Sequence, residues 1–284
     1  MKFSIVIPAK NEAVNLAQFL PRLRECHPDA ETIVVDDGST DDTVAICREN
    51  GVRVISHPYS KGNGAAIKTG ARAATGSVIV FMDGDGQHRP EDISRLLEVF
   101  AQGYDMVVGA RDRDGQADGF RAAANGIYNR LSSWMTGHQI QDLTSGFRVV
   151  RADRFCEFLY LLPNGFSYPT TSTMAFFRAG YTVGYVPIAT EKRQGSSHIS
   201  LVKDGVRFLL IIFKVGTLYS PLKIFFPAAA GFFVTGVSYY LYTYVTQGRF
   251  TNMSAVLFMT AILVFLIGLV SEQVTALMYK DAGD

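Results

Sequence analysis

The sequence predicts an α/β fold: a mostly parallel sheet with flanking helices, followed by an interfacial amphipathic helix and a two-helix transmembrane hairpin. Three observations carry this expectation. Short apolar runs rich in β-branched residues alternate with helical stripes as far as Ile199. One of these runs, Ser77-Val78-Ile79-Val80-Phe81-Met82, ends abruptly in Asp83-Gly84-Asp85-Gly86-Gln87-His88. Beyond Ile199 the chain turns overwhelmingly apolar and aromatic.

The 284 residues leave room for a sizeable core in one large domain or two small ones. The 27 basic and 26 acidic side chains nearly cancel, so bulk charge gives no support to a nucleic-acid partner. Cys26, Cys47 and Cys156 are scattered and lack metal-ligand spacing, which suits a reducing compartment and buried structural roles. Met1-Lys2 leads directly into a strand-like run, so no amino-terminal signal peptide is expected.

Phe3–Pro8 reads as a first strand, followed by the polar turn Ala9-Lys10-Asn11-Glu12. Leu16, Phe19, Leu20 and Leu23 then give a helix to about Glu25 its apolar stripe. Thr32–Asp36 is a second buried strand, and Thr40 or Asp41 can cap the helix after it. Val52–Ile55 makes a third strand, and Lys61-Gly62-Asn63-Gly64 opens a helix through Ala74. After the Ser77–Met82 strand, Pro90-Glu91-Asp92 begins another helix, with proline in its first turn. Tyr104–Gly109 is a strand delivering Arg111 and Arg113 into a loop, and a long helix runs from Phe120 to Met135. Thr144–Val150 reads as a short strand that presents hydroxyls and Arg148 beside the same crevice. Strand alternating with helix implies right-handed parallel crossovers, so the acidic loops should converge at one edge.

Asp83 and Asp85 are alternate residues of an extended segment and can face one cation. Two hard oxygen ligands with open positions suit magnesium or manganese shared with a substrate diphosphate. The plainer reading is a polar turn in which Asp and Gly satisfy turn geometry. For Asp36 and Asp37 it is a strand-to-helix turn, and for Arg111, Arg121 and Arg148 it is surface ion pairing.

Residues 199–218 mix Ser200, Lys203, Asp204, Arg207 and Lys214 with a dense apolar face, as a helix in a membrane interface does. Two long apolar stretches, at about 222–245 and 254–278, are each long enough to span a bilayer. They are joined by the polar turn Thr246–Asn252. Glu272 falls near the end of the second, where interfacial placement is the plainer reading and contact with headgroups or a neighbouring helix the other. Lys203, Arg207, Lys214, Lys223 and Lys280 outnumber Arg249 in the turn. The positive-inside rule therefore places the first domain and both ends of the hairpin in the cytoplasm, in a multi-pass protein of the cell membrane. The domains expected are 1–198 (catalytic), 199–221 (interfacial) and 222–284 (hairpin).

Five motifs in order carry a resemblance. They are Pro8-Ala9-Lys10-Asn11-Glu12, Asp36-Asp37-Gly38-Ser39-Thr40-Asp41-Asp42-Thr43, Lys61-Gly62-Asn63-Gly64, Asp83-Gly84-Asp85-Gly86-Gln87-His88 and Thr144-Ser145-Gly146-Phe147-Arg148. Together they resemble the inverting family 2 glycosyltransferases of GT-A fold, in the branch of the dolichol-phosphate-mannose synthases and polyprenyl-phosphate glycosyltransferases. The resemblance implies a nucleotide sugar donor, a polyprenyl phosphate acceptor and a Mg2+ or Mn2+ cofactor. It is compatible with a homo-oligomer. Pro8, Glu12 and Asp37 would hold base and ribose, with Lys61 beside the nucleotide. Asp83, Asp85 and Gln87 would surround metal and diphosphate, and Arg193 would clamp the diphosphate from a loop reaching His198. Arg111 and Arg121 would take the acceptor phosphate, with Ser145 and Arg148 alongside. Asn125 stands where the family carries a serine, and Gly126 where an arginine often follows. Phe208, Leu209, Ile212 and Phe213 would line the path of the isoprenoid. The rivals are a processive polysaccharide synthase, whose Gln-x-x-Arg-Trp motif has no counterpart around Trp134, and a catalytically silent membrane scaffold.

Overall fold

In order along the chain, the strands and helices are β1 (Phe3–Ala9), α1 (Ala13–Cys26), β2 (Glu31–Asp36), α2 (Thr43–Glu49), β3 (Arg53–Ser56), α3 (Asn63–Ala73), β4 (Val78–Phe81), α4 (Asp92–Phe100), β5 (Met106–Arg111) and α5 (Gly119–Thr136). They continue with β6 (Arg148–Arg151), α6 (Ala152–Cys156), α7 (Tyr168–Arg178) and β7 (Val183–Ile188), and end with α8 (Pro221–Gln247) and α9 (Asn252–Lys280). This computed structural model describes residues 2–111, 119–165, 167–189, 213 and 216–280, with all their side chains except those of 119–125 and 280. The chain divides into two compact units, Met1–Ile199 and Ser200–Asp284.

In the first unit the β-branched runs become one seven-stranded sheet of order β3-β2-β1-β4-β6-β5-β7. The pairings of β1 with β2 and β4, of β2 with β3, and of β5 with β7 are parallel. All four residues of β4 are buried, as a central strand covered on both faces requires. Leu16, Phe19, Leu20 and Leu23 of α1 are buried against the sheet, a face worth roughly 1.5–3 kcal/mol per side chain.

Three expectations change. The segment expected as a strand over 144–150 pairs only from Arg148, and β6 runs antiparallel to both β4 and β5. Residues 144–146 leave the sheet because Asp142 Oδ1 accepts from the backbone N–H groups of Thr144 and Ser145 at 3.0 and 3.1 Å. Pro90 precedes α4 by two residues instead of entering its first turn. Of the cysteines, only Cys47 is buried; Cys26 and Cys156 are exposed.

In the second unit, α8 and α9 are 27 and 29 residues long, and both are apolar enough to cross a bilayer. They pack through small residues: a Cβ at Gly268 would lie 2.6 Å from Phe225 Cβ. Phe233 and Phe258 meet across the pair with ring centroids 5.5 Å apart. Glu272 reaches the neighbouring helix, contrary to the plainer sequence reading. Its Oε2 accepts from Ser220 Oγ at 3.3 Å and from the Leu222 N–H at 3.2 Å, at the first turn of α8.

Candidate active site

Parallel strands release their loops at one edge, and a cavity of about 400 Å³ opens where the β1, β2 and β4 loops meet. The β1 loop contributes Pro8, Ala9, Lys10 and Glu12, the β2 loop Asp37, and the β4 loop Asp83, Gly84 and Asp85. Ser60, Gly62, Asn63 and Ala66 at the start of α3 complete the lining. Asn11, between Lys10 and Glu12, has a φ of 55°. Its Oδ1 accepts from the Thr40 N–H at 2.8 Å, and its own N–H donates to Ser39 Oγ at 2.9 Å. These bonds hold the β1 and β2 loops together in a conformation that asparagine tolerates better than most residues. The N-cap of α2 is Asp42, not the expected Thr40 or Asp41, and Asp41 just before it accepts from the N–H groups of Thr43 and Ala13, tying the starts of α2 and α1 together.

Asp37 accepts on both carboxylate oxygens. Oδ1 takes His57 Nδ1 and the Lys61 N–H, both at 2.8 Å, and Oδ2 takes Ser60 Oγ at 2.7 Å and the Gly62 N–H at 2.8 Å. Burial pushes its pKa up, but these four donors outweigh burial and hold it down at about 2. Asp37 therefore shapes the 57–62 segment as well as lining the cavity. Gly62 is needed there, with φ 102° and the Asn164 carbonyl oxygen 2.5 Å from where a Cβ would be. Lys61 contributes its backbone, while its side chain is exposed with Nζ 5.8 Å from the Tyr59 ring centroid.

Asp83 and Asp85 flank Gly84 on the cavity wall. Asp85 Oδ1 accepts from the Gln87 N–H at 3.1 Å, which turns the loop back on itself. His88 Nε2 lies 3.7 Å from Asp83 Oδ2, its ring stacked on Phe147 at 5.0 Å. Burial pushes the Asp83 pKa up, yet it lies below the ordinary value, because His88 and the positive charges of Arg111 and Arg148 outweigh burial. Two carboxylates on one cavity form a hard oxygen donor set of the kind Mg2+ or Mn2+ takes. Gly146 leaves space for it: a Cβ there would sit 2.5 Å from Asp83 Oδ2. Among the described residues no group of three or more His, Cys, Asp or Glu side chains converges into a cage. A cation here would complete its shell with substrate oxygens.

Arg111, at the end of β5, is half-buried, and Nε and Nη2 grip the two oxygens of Asp142 at 2.8 and 3.0 Å. Nη2 also donates to Thr144 Oγ1 at 2.6 Å. Burial pushes the Arg111 pKa down, but Asp142, with Asp83 and Asp85 adding their fields, keeps it above its ordinary value, so it is a permanent cation at the crevice. Arg148 and Ser145 are corrections. At 0% and 1% exposed they cannot meet an acceptor phosphate. They stand beneath Gly146, which lines a second cavity of about 80 Å³ with Asn63, Asp83, Thr144, Gly165, Tyr168 and Pro169. Arg193 and the loop to His198 lie outside the described residues, as do 208–212 and the side chains of Arg121 and Asn125. Sequence reasoning missed Asp142, His57 and Tyr168, and quoted Asn63 within the Lys61-Gly62-Asn63-Gly64 motif without giving it a role. Only Asp142, set two residues before Thr144, carried a local signal: the Asp-x-Thr spacing of an Asx turn.

Residues 4–157 match the family described as glycosyl transferase family 2. The chain belongs to this family. Residues 220–277 match a second family, the GtrB C-terminal hairpin, over the α8–α9 pair. Among curated relatives, polyprenol monophosphomannose synthase of Mycolicibacterium smegmatis is 31% identical, over 69% of this chain and 80% of its own length. Undecaprenyl-phosphate mannosyltransferase of Micrococcus luteus is 31% identical, over 70% of this chain and 88% of its own. Glycosyltransferase AglJ of Haloferax volcanii is 27% identical over 96% of this chain and 93% of its own. Among solved structures, glucosyl-3-phosphoglycerate synthase of Mycobacterium tuberculosis in complex with Mn2+, UDP and glucosyl-3-phosphoglycerate superposes with a TM-score of 0.61 at 21% identity. It covers 76% of this chain and 78% of that one, and the likeness shows the GT-A fold. The chain is thus a family 2 glycosyltransferase with a GT-A catalytic unit and an apolar two-helix hairpin.

Proposed function

We propose that this family 2 glycosyltransferase moves a sugar from a nucleotide diphosphate sugar to a polyprenyl phosphate at a membrane, with inversion at the anomeric carbon. The observation that carries the reading is one cavity holding Glu12, Asp37, Asp83 and Asp85 in a chain that also carries the hairpin. Relatives named for polyprenol and undecaprenyl phosphate support the acceptor class.

Pro8, Glu12 and Asp37, which line the cavity, are proposed to hold the nucleoside. Asp83 and Asp85 would hold a divalent cation, Mg2+ or Mn2+, which when bound supplies positive charge against the donor's diphosphate. The Gln87 N–H keeps the Asp85 carboxylate turned toward the cavity. The acceptor phosphate is already an anion, so its attack needs positioning more than a base. Arg111, held by Asp142, is proposed to orient it, with Arg121 and Asn125 on α5 helping. In-line displacement forms the bond from phosphate oxygen to anomeric carbon as the bond to the nucleotide diphosphate breaks. The nucleotide leaves with the electron pair. Arg193 is proposed to meet the diphosphate from its loop. The excess of Lys and Arg outside the 246–252 turn favours a cytoplasmic catalytic unit.

The test is a panel of nucleotide sugars offered with short polyprenyl phosphates to the full-length protein in detergent. Asp85→Ala should abolish metal-dependent transfer without lowering the melting temperature. Full activity of that variant with metal chelated would overturn the assignment, and failure of every lipid phosphate as acceptor would overturn the substrate class.

A further inference from the structure

Arg148 is an arginine buried to 0% exposure, and among the described residues none of its hydrogen bonds goes to a carboxylate. A buried charge without a charged partner is costly, so its placement calls for a compensating role. Register places Arg148 opposite Phe81, the last residue of the strand that delivers Asp83. Nη1 donates to the Pro169 carbonyl oxygen at 2.9 Å, to Ser172 Oγ at 2.7 Å and to Thr173 Oγ1 at 3.2 Å, all on α7. Nη2 donates to the Ser145 carbonyl oxygen. The guanidinium carbon lies 5.6 Å from the Tyr168 ring centroid, and Tyr168 Oη donates to the Gly146 carbonyl oxygen at 3.0 Å.

Two consecutive carbonyls are thus held from behind by two buried side chains that also touch each other. On the other side of the same segment, the Gly146 Cα faces the Asp83 carboxylate so closely that a Cβ would sit 2.5 Å from Oδ2 and 3.0 Å from Oδ1. We infer that Arg148 and Tyr168 are positioning residues, clamping the Ser145–Gly146 segment as a backstop that holds the Asp83 carboxylate in one orientation. The inference rests on the reading of Asp83 as a cation and diphosphate ligand. Groups that orient a metal's ligands in this way govern affinity as well as rate.

The test uses full-length protein in detergent with Mn2+ and UDP as probes. Free Mn2+ is followed by its electron paramagnetic resonance signal, and transfer is measured in parallel. Tyr168→Phe removes one hydroxyl and keeps the ring against Arg148, while Arg148→Lys keeps a charge and loses the fork. Phe158→Leu, in the core against Phe176 and Tyr181, is the control for plain loss of stability. Both variants should weaken Mn2+ binding in the presence of UDP by roughly tenfold or more. The Mn2+ concentration for half-maximal transfer should rise in step, while Phe158→Leu leaves both unchanged. If Arg148→Lys does not fold, Tyr168→Phe decides alone. Mn2+ affinity in Tyr168→Phe equal to that of Phe158→Leu would overturn the clamp. Asp83→Asn separates the two levels. If it loses Mn2+ while Tyr168→Phe does not, only the clamp is wrong. If it binds Mn2+ like the wild type, the underlying ligand reading is wrong and the clamp falls with it.

Discussion

At Asp37 a single carboxylate organises one wall of the cavity. Its folded pKa of about 2 lies below the ordinary 3.8, so its stabilisation is fully present above about pH 4 and is lost as pH falls toward 2. The shift corresponds to roughly 2 kcal/mol at neutral pH. Asp37→Asn should lose about that amount, because an amide cannot accept all four donors and leaves some of them buried and unpaired. Thermal unfolding at pH 7 should show a clear drop in melting temperature for the variant. The gap from wild type should close as the pH approaches 2, where the native carboxylate is also protonated. A gap independent of pH would mean that the hydrogen bonds, and not the charge, carry the effect. His57 belongs to this network from 20 residues away, and the register of β2 on β3 explains how. Asp36 pairs with Ser56, which sets Asp37 beside His57. No local pattern could show that contact before the strands were paired.

At the scale of elements, what was legible followed from periodicity and what was not followed from exceptions to it. The α1 stripe reads directly from Leu16, Phe19, Leu20 and Leu23, and these four are its buried residues. The reversal of β6 was hidden, because the four residues Arg148–Arg151 carry no local signal of the direction in which they pair. β7 was missed because Gly184 and Pro187 interrupt it; as an edge strand it tolerates the proline. α7 was missed because Thr170, Thr171, Ser172 and Thr173 form helices poorly. It forms because burial and back-bonding to carbonyls one turn earlier satisfy those hydroxyls, and Ser167 caps it before Pro169. That Ser-x-Pro start was a usable signal. In the hairpin, Glu272 takes the place of a local cap for α8, since Ser220 makes no side-chain cap of its own. Glu272→Leu should therefore lower the melting temperature in detergent by an amount equivalent to about 1 kcal/mol. Glu272→Gln, which can still accept, should recover most of it. Equal melting temperatures for Leu, Gln and wild type would show that the carboxylate lies at the interface without supporting α8.

The chain joins a family 2 glycosyltransferase unit to an apolar two-helix hairpin, and we propose from charge alone on which side of a membrane the first unit lies. The turn between the two spans offers Arg249, whereas Lys223 and Lys280 stand at the opposite ends of the helices. With a transmembrane potential and an anionic cytoplasmic leaflet, the more basic ends are retained inside. Cys26 and Cys156 are exposed on the catalytic unit, and Asn252 is exposed at the start of α9 in the turn. A membrane-impermeant maleimide applied to intact cells should leave the wild-type protein unlabelled and should label Asn252→Cys. After permeabilisation the wild type should be labelled as well. Labelling of wild-type cysteines in intact cells, with Asn252→Cys adding nothing, would place the catalytic unit outside. The positive-inside assignment would then have to give way to a donor supplied from the other face.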